Sequence, residues 1–121
     1  MSDFKRLKVW EKAHAIALRA YAITSAFPRE EKYGLTSQIR RAAVSVGSNL
    51  AEGCGRESRK EMGYFLRIAI GSTQELRYQF LLGRDLGWIN EADYSGLEAG
   101  IDEVRAMLYA LLKSLTGGKG K

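Results

Sequence analysis

Proline, cysteine and histidine are almost absent from this sequence, which has one of each among 121 residues. Proline interrupts helix interiors, so its scarcity favours long, unbroken helices. The lone Cys54 excludes an intrachain disulfide framework and is typical of the reducing cytoplasm, where we expect this protein. No apolar run approaches the ~20 residues that span a bilayer. Basic residues interrupt the region where a signal peptide would lie, so we expect neither a membrane segment nor a leader.

The rest of the composition is ordinary for a globular protein, with 45% hydrophobic and 27% charged residues. The net charge of +5 is uneven, because residues 1–60 carry +6 and residues 61–121 carry −1. A basic first half suits binding to a polyanion, but it also suits plain solubility. Length and composition therefore predict one soluble domain and leave its partner open.

Apolar residues recur at three- and four-residue steps in four stretches, which predicts four amphipathic helices. The predicted spans are approximately residues 3–26, 35–53, 58–87 and 90–115. Asp3, Ser58 and Asn90 are candidate N-caps, and Ser58 precedes Glu61 at the spacing of a capping box. Gly47 interrupts the second helix, where it predicts a bend or close packing.

No stretch alternates with the two-residue period of a strand, so the fold class is all-α. Four helices with short links predict an antiparallel up-down-up-down four-helix bundle. We assign residues 1–115 to this single domain. The remaining residues 116–121 have nothing to bury and are expected to form a disordered tail.

Small and aromatic residues raise the question of a second copy. Glycines lie on helical stripes of the third and fourth segments, which indicates close approach of another helix, either within the chain or from another subunit. The chain also has more apolar and aromatic surface than a small bundle easily covers, which predicts a homo-oligomer. The residues concerned are Gly63, Gly71, Gly83, Ala92, Gly96 and Gly100, with Trp10, Tyr64, Tyr78, Trp88 and Tyr109.

Motifs for catalysis are scarce. The sequence contains no P-loop and no dinucleotide-binding glycine motif. Glu11 and His14 have the Glu-x-x-His spacing of di-iron bundles, but such a site needs a second histidine. We expect His14 to lie on the inward side of the first helix, as a packed rather than a catalytic residue. The prediction is therefore a protein without enzymatic activity, cofactor or metal.

A string of polar residues in the second and third segments has two interpretations, which the sequence leaves open. One is a buried hydrogen-bonded network that sets helix register, with one arginine paired to Glu52 or Glu75. Its members are Arg40, Ser45, Asn49, Glu52 and Glu75. The other is a phosphate-binding surface. Its candidate nucleic-acid-binding residues are Lys5, Lys8, Lys12, Arg41, Arg56, Arg59 and Lys60.

Three blocks of sequence carry a family resemblance: YGLTSQIRRAAVSVGSNLAEG at 33–53, FLRIAIGSTQEL at 65–76 and EVRAML at 103–108. From about Phe4 to Leu115 the chain resembles the four-helix-bundle proteins encoded in intervening sequences of bacterial 23S rRNA genes. It departs from them at Gly47, where proline is common. A more distant relative is the accessory protein of diversity-generating retroelements, a basic homopentamer that binds nucleic acid and a reverse transcriptase.

The resemblance implies a bundle that assembles into a homopentamer and has no known catalysis. Our leading hypothesis is a non-enzymatic, oligomeric protein that binds RNA or DNA, or a nucleic-acid-processing protein, through a basic surface. The alternative is a protein–protein scaffold whose charge is incidental. An enzyme or metal protein built on Glu11 and His14 is the third hypothesis.

Overall fold

The structure, a computed structural model, describes residues 3–117. It contains four long helices, which are α1 (Lys8–Thr24), α2 (Leu35–Cys54), α3 (Arg59–Asp85) and α4 (Glu91–Gly117). The helices pack in a closed cycle, α1 on α2, α2 on α3, α3 on α4 and α4 on α1. No residue between 3 and 117 is in a β-strand. The all-α prediction of an antiparallel four-helix bundle is confirmed.

The first helix is shorter than its periodicity predicts. Asp3 caps a 3-10 turn over Phe4–Arg6, accepting a hydrogen bond from the Lys5 backbone N–H at 3.1 Å. Leu7 is extended, so α1 begins only at Lys8. At the other end, the Thr24 hydroxyl donates to the Ala20 carbonyl at 2.7 Å. Such side-chain bonds compete with the helical ladder, and α1 ends there, two residues before the predicted Ala26.

The other predicted caps are confirmed. Ser58 Oγ accepts from the Glu61 N–H at 3.0 Å, and Asn90 Oδ1 accepts from the Asp93 N–H at 2.7 Å. Each bond satisfies one of the backbone donors that a helix start leaves free. These two side chains therefore fix where α3 and α4 begin.

Two predictions at helix ends are wrong. The predicted third helix reaches residue 87, but α3 ends at Asp85 and the chain turns at Gly87 with a φ of +84°, which leaves Leu86 48% exposed. Thr116 was predicted to begin the disordered tail, but it continues α4 together with Gly117. The rest of that predicted tail, residues 118–121, lies outside the described residues.

The core runs the length of the bundle. Its largest fully buried side chains come from α2, α3 and α4, whereas α1 contributes smaller ones. The core-facing residues of α1 are Val9, Ala13, Ile16 and Ala20. With these residues α1 packs against both α2 and α4. The largest buried residues are Ile39, Leu50, Leu66, Leu76, Phe80, Leu97, Ile101 and Leu108.

Most of the helical glycines are explained by packing within the chain. A Cβ atom on Gly96 would lie 3.3 Å from Arg19, and one on Gly100 would lie 3.6 Å from Ile16. The lack of a side chain at these two positions of α4 therefore leaves room for side chains of α1. Gly71 differs, since nothing lies within 4 Å of the position of its Cβ. Among the glycines of α3 and α4, the subunit interpretation stays open for Gly71.

Candidate nucleic-acid interface

A cationic depression lies on the outer face of α1 and α2, near the end of the bundle where the two helices are joined. Its volume is about 670 Å³. Three cations line it together with two tyrosines and several hydroxyl groups, and among residues 3–117 no Asp or Glu lines it. We call Tyr21, Lys32, Tyr33, Arg40 and Arg41 the cationic depression residues.

The connection between α1 and α2 positions two of these residues. Pro28 ends the first helical region, and a 3-10 turn follows over Arg29–Glu31. Glu31 Oε1 then accepts a hydrogen bond from the Leu35 N–H at 2.9 Å and so caps α2. A Cβ on Gly34 would lie 2.6 Å from the same oxygen, so a larger residue there would displace the Glu31 carboxylate from this cap. The compact turn leaves Lys32 and Tyr33 exposed at the rim.

Arg40 joins α2 to α1. Its Nε donates to Thr24 Oγ1 at 2.8 Å and its Nη2 donates to the Tyr21 carbonyl at 3.3 Å. The guanidinium also lies over the Tyr21 ring, 4.5 Å from its centroid. The pairing with Glu52 or Glu75 predicted for one of the two arginines is therefore wrong for Arg40. These two bonds use two of its five N–H donors, so others stay free for a ligand.

Arg41 and the two rim residues are more accessible. Arg41 is exposed on the outer face of α2, and within residues 3–117 no carboxylate lies within 4.0 Å of it. Lys32 Nζ lies 5.3 Å from the centroid of the Tyr33 ring. Tyr33 is 87% exposed, the highest value of any large hydrophobic residue described. An aromatic ring so placed is available for stacking.

The structure does not bring the seven predicted binding residues together. Arg41 is the only one in the cationic depression. Lys12 pairs with Glu103 at 3.4 Å, and Arg56 pairs with Glu52 and lies over the Phe65 ring. Both of these cations are therefore partly neutralised by an acid.

The remaining four lie near the opposite end of the bundle. Arg59 and Lys60 line a smaller depression of about 360 Å³ between the start of α3 and the end of α4, together with Arg67. Lys5 and Lys8 are exposed at the start of the chain. Among the described residues, none of these cations has a carboxylate within 4.0 Å.

The predicted polar network exists in part. Ser45 Oγ and Ser72 Oγ lie 2.8 Å apart and link α2 to α3. Asn49 Nδ2 donates to both the carbonyl and the hydroxyl oxygen of Ser45, each at 2.9 Å. Glu52 and Glu75 are exposed instead, Glu52 on its own helix with Arg56 and Glu75 on α3.

An apolar groove of about 390 Å³ continues from the cationic depression along α1 and α2. The Trp10 and His14 rings stack there in parallel with centroids 4.9 Å apart, and Phe4 meets Trp10 edge-on. The inward placement predicted for His14 is wrong, because the residue is exposed. Ala13 takes the core side, and the next residue lies about 100° around the helix.

Metal-ligating groups and the lone thiol are the other side chains that bear on chemistry. Within residues 3–117, no three His, Cys, Asp or Glu residues gather into a metal-binding group. Burial raises the pKa of the Cys54 thiol, which disfavours its nucleophilic thiolate form. None of the helices described has the length and apolar character needed to cross a bilayer.

The chain has relatives in both fold and sequence family. A crystal structure of a protein of unknown function from the S23 ribosomal protein family of Bacteroides thetaiotaomicron is similar, with a TM-score of 0.78 and 23% sequence identity. The similarity covers 87% of this chain and 98% of that one. No curated protein sequence matches. The family model of the 23S rRNA-intervening sequence proteins matches residues 5–110. This chain therefore belongs to the family of 23S rRNA-intervening sequence proteins.

Proposed function

We propose that this protein is a non-enzymatic, self-assembling protein that binds RNA or DNA through the cationic depression. The observation that carries the proposal is the gathering of Lys32, Arg40 and Arg41 with Tyr21 and Tyr33 in a depression whose described lining has no carboxylate. Cations bind phosphates by releasing counterions, and tyrosine rings stack on unpaired bases. This combination is typical of surfaces that bind nucleic acid.

Self-assembly is supported by two exposed surfaces of different shape. The apolar groove exposes Leu18 by 60% and Val44 by 43%. On α3, Tyr64 and Tyr78 are about equally exposed and lie seven residues on either side of Gly71. Projecting rings on one copy and a groove on the next form a head-to-tail contact, which closes into a ring when the rotation allows it. A ring agrees with the pentamer that the family resemblance implies.

Assembly would strengthen weak contacts with nucleic acid. Each copy brings three cations to its depression. A ring presents several depressions at once, and a long strand that reaches more than one of them gains avidity without any new contact. The apolar surfaces therefore serve assembly, and the basic charge serves binding.

The test of binding is fluorescence anisotropy with labelled RNA and DNA strands of about 12 nucleotides, measured between about 50 and 200 mM salt. We expect affinity to fall steeply with salt. Lys32→Gln combined with Arg41→Gln should lower the slope of log K against log salt by about 0.7 per lost phosphate contact on a single strand. The matched control is Lys5→Gln with Lys8→Gln, which removes equal charge elsewhere. No binding at the lowest salt would exclude the proposal.

The test of assembly is light scattering. Leu18→Glu places a charge in the apolar groove, and we expect it to reduce the mass in solution to that of a single chain. Ala22→Glu adds the same charge at another exposed position of α1 and should leave the mass unchanged. A wild-type protein that stays monomeric at micromolar concentration would contradict self-assembly.

The alternative function is a protein–protein scaffold, and the apolar groove is the observation that favours it. A scaffold would be indifferent to the paired charge removal at Lys32 and Arg41. It would lose its protein partner in the Leu18→Glu variant. The anisotropy measurement therefore separates the alternatives, because a scaffold with incidental charge would not bind the labelled strands.

A further inference from the structure

A second, more polar pocket lies directly beside the cationic depression, between α2 and α3. Its volume is about 380 Å³, within the range of small-ligand pockets, about 300–1,000 Å³. The two depressions share Tyr33, Ser37, Arg41 and Ser45, so the outer ridge of α2 forms a common wall. A strand that crosses the α2 ridge from the cationic depression reaches this pocket.

The pocket differs from its neighbour in having a carboxylate, that of Glu75. Within residues 3–117 this carboxylate has no ion pair within 4.0 Å and accepts no side-chain hydrogen bond. Gln38 adds an amide to the same pocket. A free carboxylate repels the phosphates of a nearby strand, so it lowers affinity unless the ligand offers it hydrogen-bond donors.

We infer that this pocket takes one unstacked base of a single-stranded nucleic acid and that Glu75 selects guanine. The inference rests on the proposed function and adds the kind of strand and the base. Arg41, on the common wall, is placed to hold the phosphate of that nucleotide, and Tyr33 at the rim is placed to stack on the base. Splayed bases recognised on their Watson–Crick edges are the usual targets of sequence-specific recognition in single strands.

Glu75 selects guanine because an ionised carboxylate only accepts hydrogen bonds and therefore needs donors on the base. The Watson–Crick edge of guanine presents two adjacent donors, the N1–H and the N2 amine, which match the two oxygens of Glu75. Adenine and cytosine present one amine next to an acceptor, and uracil presents one N–H between two carbonyls. A site with a carboxylate therefore accepts guanine with two bonds and leaves an unfavourable oxygen contact with the other bases.

The experiment compares two labelled single strands of about 12 nucleotides, a run of uridines and the same run with one central guanosine. Both are titrated by anisotropy with the full-length protein. For the wild type we expect the guanosine strand to bind about tenfold more tightly, because a good bidentate contact favours the matching base over the others by about this factor. In Glu75→Gln the ratio of the two affinities should fall to about one. Glu57→Gln, an exposed glutamate on the α2–α3 turn, is the matched control and should keep the wild-type ratio.

Stacking is tested separately at Tyr33. Tyr33→Ala should weaken binding of the guanosine strand several-fold, whereas Tyr33→Phe should bind like the wild type because the ring is retained. Tyr33 is almost fully exposed, so neither change disturbs the fold. The same strands annealed to their complements should bind more weakly, since their bases are stacked and paired.

The outcomes distinguish this inference from the proposed function. If neither strand binds at low salt, the proposed function is wrong and the inference falls with it. If both strands bind equally well in the wild type, nucleic-acid binding stands and guanine selection is overturned. A guanosine preference that persists in Glu75→Gln also overturns it, because the selection would then come from other groups.

Discussion

The indole of Trp10 packs against the bare backbone of α2 at Gly47. A Cβ atom on Gly47 would lie 3.5 Å from Trp10 Nε1, which is an ordinary van der Waals distance. The sequence predicted a bend or close packing at this glycine, and close packing is what the structure has. The contact fixes Trp10 at the floor of the apolar groove, where it stacks with His14.

Because a methyl group fits at position 47, we predict that Gly47→Ala stabilises the protein. Alanine is favoured over glycine in a helix interior by about 0.8–1.0 kcal/mol. The free energy of unfolding, measured by urea titration of the circular dichroism, should rise by about that amount. The groove should keep its shape, so the mass in solution should not change.

Gly53→Ala is the matched control on the same helix, and it should destabilise the protein. Its Cβ would lie 3.2 Å from Phe65 Cβ and 3.3 Å from the backbone oxygen of Met62. The backbone of α3 cannot easily move away, so the strain outweighs the gain in helix propensity. A rise in stability for both variants would show that the close contact of α2 with α3 is more yielding than these distances indicate.

The strongest ion pairs lie between α3 and α4 and predict a pH dependence of stability. Arg77 donates through Nε to Asp102 Oδ1 at 2.8 Å and through Nη2 to Glu98 at 2.9 Å. The hydrogen bond from Arg77 lowers the pKa of the Asp102 carboxyl below its usual 3.8. A carboxyl whose pKa is lower in the folded state stabilises that state above its usual pKa. This stabilisation is lost as the pH falls through the folded pKa.

We therefore predict that Asp102→Asn is less stable than the wild type at pH 7, and that the difference shrinks as the pH falls below about 3.8 and vanishes below the lower pKa of the folded state. Asp102 is 41% exposed, so solvent screening keeps the difference to about 1 kcal/mol or less. Thermal unfolding across this pH range measures it. Glu103→Gln, which breaks a single exposed pair with Lys12, should change stability much less. A difference that does not shrink between pH 7 and pH 2 would contradict an electrostatic origin.

The four helices could be predicted because the signals that define them are local. The scarcity of proline, the three- and four-residue periodicity and the caps at Ser58 and Asn90 all act within a few residues. The errors fall where the outcome depends on tertiary position. Leu86 fits the periodicity of α3 but lies beyond its last turn, and His14 lies one residue from the core-facing Ala13 but is exposed.

The candidate site was harder to predict because its residues converge from three segments. Tyr21 lies in the last turn of α1, Lys32 and Tyr33 lie in the connection, and Arg40 and Arg41 lie on α2. Net charge along the chain indicates a basic first half, but it does not show which cations are neutralised by acids on another helix, as Lys12 is by Glu103. Tyrosines and cations occur on both sides of Pro28 in the sequence. This pattern indicates a binding surface only when the turn is known to bring α1 and α2 together.

Substitutions of Gly71 can show whether the outer face of α3 is free or is covered by another copy of the chain. Nothing lies within 4 Å of its Cβ position in the single chain, so Gly71→Ala should add about 0.8–1.0 kcal/mol of helix propensity to the stability of a monomer. Gly71→Arg should fit the monomer equally well but clash with a covering helix. We expect light scattering to show a reduced mass for the arginine variant and the wild-type mass for the alanine variant. An unchanged mass for both would place the contact between copies elsewhere.

Gln79 is a polar residue in the core of the bundle, and its replacement should stabilise the fold. It is 4% exposed, and its Oε1 accepts no hydrogen bond from any described residue. An unsatisfied buried acceptor costs about 1–3 kcal/mol, whereas a side chain of similar shape without the oxygen carries no such penalty. Gln79→Met should therefore raise the free energy of unfolding by about 1 kcal/mol. Gln74→Met, which removes the exposed partner of Arg105, is the control and should not raise it. A loss of stability in Gln79→Met would mean that the carbonyl is hydrogen-bonded in solution, by water or by a second copy of the chain.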